Sequence, residues 1–155
     1  MKNIELRFLT QAFYQKYTSV IYPEICAKDG RPYAILLVKI DSNTFAIPLR
    51  TNIQHKYCYK FKNTNRITNS STGLDFSKAV IVNELKYIDF NTTATIDNKE
   101  YLEISNKHFF IEKKFKEFLD KYKKVINDPV KYSYEYNLLN KYSTLKYFHI
   151  EIGLK

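Results

Sequence analysis

Apolar residues recur at two spacings along this chain, every second position in its first half and every third or fourth in its second. From Ile4 to Leu9 the alternation predicts a first strand, and Thr10 then offers an N-cap for a short helix with Phe13, Tyr14 and Tyr17 on one face, ended by Pro23. After a turn at Lys28-Asp29-Gly30-Arg31-Pro32, the apolar run Tyr33 to Ile40 reads as a buried strand. Asp41-Ser42-Asn43 turns it back into a second strand, Thr44 to Leu49, whose alternation sets Phe45 and Ile47 on one face. The polar stretch NTNRITNSST before Gly73 has no period and predicts a long exposed loop, a kind of segment that is often functional.

Strand signals resume at Phe76 to Val82 and at Lys86 to Phe90, with a short one at Tyr101 to Ile104. Ser105 then offers a cap for the clearest helix, which sets Ile111, Phe115, Phe118, Leu119, Tyr122, Val125 and Ile126 on one stripe and stops at Asp128-Pro129. A further helix from Val130 to Asn140 and an extended tail, Tyr147 to Ile152, complete the expectation. The order predicts a single α+β domain, a compact antiparallel sheet or small barrel with helices attached. A length of 155 residues suits one such core.

Charge narrows the functional classes. The net charge is +9, which favours polyanions because each phosphate neutralised releases a condensed counterion. Its distribution says more. No Asp or Glu occurs in the 33 residues between Asp41 and Asp75, while Arg50, Lys56, Lys60, Lys62 and Arg66 all fall there. The last part of the chain interleaves lysines with acids, as a solvated helical surface does. The polyanion site is therefore expected in the middle, and nucleic acid is the natural partner. No apolar run approaches the roughly 20 residues that span a bilayer, and MKNIELRFL lacks a signal-peptide pattern, so the expected location is cytoplasmic with no membrane partner. Cys26 and Cys58 match no metal spacing and no disulfide framework.

The acidic residues form no metal-binding pattern, and with Gly30, Gly73 and Gly153 as the only glycines there is no Gly-rich phosphate loop. Neither metal nor cofactor is expected. Cys58 lies between tyrosines, where an inert small hydrophobe is the commoner role. What remains is RNA cleavage through the substrate's own 2′-hydroxyl, which needs a proton-transfer group and cations but no protein nucleophile. The stretch PLRTNIQHKYCYKFK holds those groups: His55 for proton transfer, Arg50 and Lys56 for the charged phosphorane, Thr51 and Asn52 for the non-bridging oxygens. A second reading from another class is a non-catalytic RNA-binding module, in which the cations hold phosphates while Tyr33, Tyr57 and Tyr59 stack on unpaired bases. A structural protein whose charge keeps it soluble is the third.

Three stretches together, Arg31-Pro32-Tyr33, then Phe45 to Tyr57 (FAIPLRTNIQHKY), then Gly73 to Ala79 (GLDFSKA), resemble the endoribonuclease toxins of type III toxin-antitoxin systems, the ToxN/AbiQ-like superfamily, and within it the CptN branch. The resemblance implies a Kid/MazF-like antiparallel barrel core with added helices and metal-independent cleavage that leaves a 2′,3′-cyclic phosphate on cellular mRNA. It also implies an RNA antitoxin of tandem pseudoknot repeats, which the toxin processes and which inhibits it within a closed toxin-RNA assembly. By position in the motifs, Thr51 falls at the family's active-site hydroxyl and Asn52 follows it in the site, Ser77 and Lys78 complete the site or bind the adjacent phosphate, and Arg31 stands where a catalytic lysine is placed in the ToxN branch. An arginine stays protonated, so Arg31 is expected to stabilise phosphate and His55 to move the proton. Lys28, Arg50, Lys56, Tyr57, Tyr59, Lys60, Lys62 and Arg66 are the expected RNA-binding set.

Overall fold

The hairpin Ile35 to Arg50 is the centre of the molecule. The computed structural model describes residues 4–25, 33–66 and 71–154, and in it the whole of β2 (Ile35–Ile40) pairs with β3 (Asn43–Arg50) from Asn43 to Pro48 around the two-residue turn Asp41-Ser42. Asp41 takes φ 55, a left-handed conformation that Asp tolerates better than most residues. Among the described residues, seven strands form one antiparallel sheet in the order β4-β5-β3-β2-β1-β7, with β6 also on β3. The others are β1 (Leu6–Leu9), β4 (Cys58–Lys60), β5 (Gly73–Asp75), β6 (Val80–Ile81) and β7 (Ile88–Asp89). The sheet is open, running from β4 at one end to β7 at the other.

Alternation assigns the two faces. Phe45 lies opposite Val38 and meets Phe115 with ring centroids 5.0 Å apart, so this face packs against α2 (Asn98–Asn127). Ile104, Ile111, Phe115, Tyr122 and Val125 are fully buried there. The other face is covered in part by α1 (Gln11–Lys16), whose N-cap Thr10 accepts from the Phe13 amide as predicted.

One proline explains the most irregular part of the sheet. The Leu49 amide donates to Ala34 O at 2.9 Å, so by alternation the amides of residues 46, 48 and 50 face the opposite edge, where β5 and β6 lie. Residue 48 is proline and has no N–H to offer there. Opposite it the neighbouring strand leaves the ladder. Ala46 pairs with Val80 and Leu49 with Leu74, so β3 spends Ile47 and Pro48 where its neighbour spends Asp75 to Ala79. The excess forms a 3₁₀ turn, Phe76–Lys78, with Asp75 as its cap. The expected strand Phe76 to Val82 is therefore corrected: pairing begins earlier, at Gly73, and the middle is this detour.

Two other expectations are corrected. Tyr101 to Ile104 is helical, and α2 starts at Asp97, whose carboxylate accepts from the Lys99 and Glu100 amides, rather than at Ser105. The first turns escape the apolar pattern because they bury Glu100 and Glu103. The tail is a 3₁₀ helix, Thr144–Phe148, followed by turns; Leu145 and Phe148 at helical spacing are both fully buried, and Ser143 caps it. Of the expected exposed loop, residues 63 to 66 are irregular with Asn63, Asn65 and Arg66 exposed, as expected, though the segment is hydrogen-bonded to α2; only its end departs, since Thr72 is buried, and residues 67 to 70 lie outside the described residues. α3 (Ser133–Tyr142) corresponds to the expected last helix.

β4 and β5 approach closely enough to require glycine at position 73. A Cβ there would overlap Tyr59 O, a backbone atom that cannot swing away. Gly73→Ala is expected to destabilise the protein by roughly 3 kcal/mol in urea unfolding, as overpacking of a closed contact does; a change below about 0.5 kcal/mol, the size of an ordinary surface effect, would mean the strands are free to part.

Candidate functional site

The Pro48 detour places Asp75 and Ser77 beside the turn that follows β3. Asp75 ends β5 with its side chain wholly buried, and a buried carboxylate requires partners. It has three. Arg50, the last residue of β3, donates from Nη1 to Oδ2 at 2.7 Å. Ser77 donates its hydroxyl to Oδ1 at 2.6 Å and its amide to the same oxygen at 3.1 Å. His55 Nε2 stands 3.2 Å from Oδ1 and 3.3 Å from Oδ2, and 3.3 Å from Ser77 Oγ. Burial pushes the Asp75 carboxyl up, but the bonds from His55, Ser77 and Arg50 outweigh it and hold the group below the ordinary aspartate value.

The imidazole is oriented from its other side. His55 Nδ1 accepts the Tyr57 backbone N–H at 3.0 Å, so in the neutral ring the proton sits on Nε2 and points at Asp75 and Ser77. Nε2–H is thus a hydrogen-bond donor in the neutral ring, and the ring can give a proton away only as imidazolium, for which Nδ1 must take a proton and release the Tyr57 amide. The same segment fixes the detour, because the amides of Phe76 and Ser77 donate to Tyr57 O. Behind it the buried Thr144 hydroxyl donates to Ala79 O at 2.5 Å and Ser77 O at 3.2 Å.

The predicted residues divide around this cluster. Arg50, His55 and Ser77 come together on Asp75, while Thr51 and Asn52 occupy the exposed turn between Arg50 and His55. Asn52 adopts φ 57 and accepts from Gln54 Nε2 at 3.1 Å, a turn role of the kind Asn serves well. Lys78 points away, donating to Tyr142 O at the C-terminal end of α3. Lys28 and Arg31 lie outside the described residues.

Beyond His55 the sequence KYCYKFK alternates. Lys56, Lys60 and Lys62 are exposed, whereas Tyr57, Tyr59 and Phe61 turn toward α2. Tyr57 packs on Phe118 at 5.7 Å and lies 6.0 Å from the His55 ring. Tyr59 corrects the stacking expectation: it is 8% exposed, with its hydroxyl bonded to Glu103 at 2.5 Å, so its ring is a core element. Arg66 is ion-paired to the buried Glu100 at 2.8 Å. Burial pushes the Cys58 thiol up to about 11, which disfavours a thiolate.

Asp75 is the site residue that the sequence pattern alone does not mark. A signal was present, since it is the carboxylate that bounds the acid-free segment, and it stands two residues before Ser77 in GLDFSKA. Among the described residues no group of three or more His, Cys, Asp and Glu side chains forms a metal-binding set. No described helix is long and apolar enough to cross a membrane. Comparison with protein-family models, with curated proteins and with solved structures gives no match.

A lowered folded-state pKa means that Asp75 contributes stability at pH values above the unfolded value, near 3.8, and that this is lost as pH falls through the folded value. Thermal melting should therefore show an acid-side loss of stability in the wild type that is shallower in Asp75→Asn. Equal slopes below about pH 4 would remove Asp75 from the acid response.

Proposed function

We propose that this protein is a metal-independent endoribonuclease, the toxin of a type III toxin-antitoxin pair held in check by its RNA. The observation that carries the catalytic part is the position of His55 Nε2, set beside the Arg50 guanidinium and the Ser77 hydroxyl on one buried carboxylate. In this reading the 2′-oxygen of the substrate attacks the adjacent phosphorus as its hydroxyl gives up its proton to solvent water. The bond from phosphorus to the 5′-oxygen breaks, and that oxygen takes the Nε2 proton of the His55 imidazolium, formed when Nδ1 takes a proton in place of its bond to the Tyr57 amide, so that the ring ends as neutral imidazole. Products are a 2′,3′-cyclic phosphate and a 5′-hydroxyl. Arg50, held partly exposed by Asp75, stabilises the phosphorane charge, and Thr51 and Asn52 on the open turn hydrogen-bond its non-bridging oxygens. Asp75 keeps the imidazole and guanidinium in place.

The biological part of the reading rests on the resemblance of the three motifs: cytoplasmic mRNA as substrate, an antitoxin of repeated RNA pseudoknots as processed inhibitor, and a closed toxin-RNA assembly. The finer expectation of a barrel core related to Kid and MazF belongs to the same proposal. The antiparallel sheet with attached helices is compatible with it.

A second reading has its own support. Both imidazole nitrogens already have partners within the chain, as in a structural histidine, and under that reading the basic segment binds RNA without cutting it. Mapping RNA ends after incubation with purified protein and a chelator separates the two. His55→Ala should lower the cleavage rate by about 10²- to 10⁴-fold, the usual contribution of a positioned proton donor, while RNA binding is kept. No cleavage by wild type would leave the binding module, whereas cleavage by His55→Ala at the wild-type rate would place the chemistry away from His55.

A further inference from the structure

Two buried carboxylates sit directly under the surface proposed to hold RNA, where simple electrostatics would place none. Asp97, Glu100 and Glu103 stand three residues apart at the start of α2, and segment 59–66 is bonded to all of them. Glu103, 7% exposed, accepts from Tyr59 Oη at 2.5 Å and from the Lys62 and Asn63 amides at 2.9 Å each. Glu100, fully buried, accepts from Thr64 Oγ1 at 2.6 Å and from the Arg66 guanidinium. Asp97 accepts from the Asn65 amide. Every donor to Glu100 and Glu103 comes from the one stretch that has no acids of its own, and two of them belong to Lys62 and Arg66, expected on sequence grounds to meet phosphate.

We infer that Glu103, with Glu100, is a positioning residue for RNA: it fixes the backbone at Lys62 and Asn63 so that Lys56, Lys60 and Lys62 stand along one exposed edge as a track for the backbone of a single strand. This rests on the RNA reading above. Because Tyr59 and Phe61 face the helix, the track offers cations without stacking rings and reads phosphate, not base identity. Arg66 is taken up in neutralising Glu100. Its place in the sequence therefore overstates its part in binding.

The two variants that test this remove the same charge. In Glu103→Gln the amide oxygen can still accept from the two backbone N–H groups and the amide nitrogen can donate to Tyr59 Oη; in Glu103→Ala the clamp is gone. Binding is measured by fluorescence anisotropy with a short labelled single-stranded RNA carrying 2′-O-methyl groups, which cannot be cleaved through its 2′-oxygen. Glu103→Gln should bind within about twofold of wild type, and Glu103→Ala several-fold more weakly, with a salt slope reduced by about 0.7 for each phosphate no longer neutralised. If the two variants move together, or if Glu103→Ala binds as tightly as wild type, the carboxylate acts only as a charge and the inference fails. No binding by wild-type protein would instead sink the RNA reading itself. Should Glu103→Ala not fold by circular dichroism, Thr64→Val removes one donor from the clamp without changing charge; it should weaken binding in the same direction, and wild-type affinity would overturn the inference.

Discussion

An anion without solvent dictates the arrangement around it. The side chain of Asp75 is sealed at the end of β5, and leaving an unpaired charge in such a place costs several kcal/mol. The chain meets that cost with groups from three directions: a guanidinium from the end of β3, an imidazole from the turn that follows, and a hydroxyl and amide from the 3₁₀ detour. None of these segments has a strong reason of its own to be where it is. The turn at residues 51–55 is largely exposed, and the detour exists because Pro48 cannot donate to its neighbour. Their common anchor gives an irregular part of the sheet one defined geometry, and it leaves an imidazole with its proton on a known nitrogen.

Half of this was legible in the residues. The hairpin could be read because its period is two on both strands and its turn chemistry is local. The body of α2 could be read because a long apolar stripe has only one regular solution. Its first turns could not, since Glu100 and Glu103 look like solvent-facing residues until their partners, 34 to 44 positions away in sequence, are known. The tail failed for a different reason: of the buried pair at helical spacing only Phe148 lies within the stretch Tyr147 to Ile152, and Leu145 stands before it, so that stretch alone shows no helical period. In the site, His55, Arg50 and Ser77 were recognisable by type and by motif. Asp75 was visible only as the end of an acid-free run, because a pairing that bridges 20 and 25 residues leaves no local period.

The site and the track beyond it are two uses of one continuous segment. Arg50 to Tyr57 is shaped by the carboxylate of β5, and Tyr59 to Arg66 by the carboxylates of α2. A stretch that carries no acid is thus held at both ends by buried acids supplied from elsewhere. The positive charge at its surface and the rigidity beneath it have separate sources. Electrostatic attraction can be changed at Lys56, Lys60 or Lys62 with little effect on the clamp, and the clamp can be changed with little effect on the exposed charge.

The same lysines bear on a hazard unrelated to RNA. β4 is the terminal strand of an open sheet, and a terminal strand offers unpaired backbone groups to any other extended chain. Here that edge is three residues long and bordered by Lys56, Lys60 and Lys62, so a second copy approaching to add a strand meets its own like charges before it meets a hydrogen bond. Cations suited to attracting a polyanion therefore also keep copies of the protein from joining edge to edge, and a phosphate strand laid over them would cancel that repulsion while covering the edge itself.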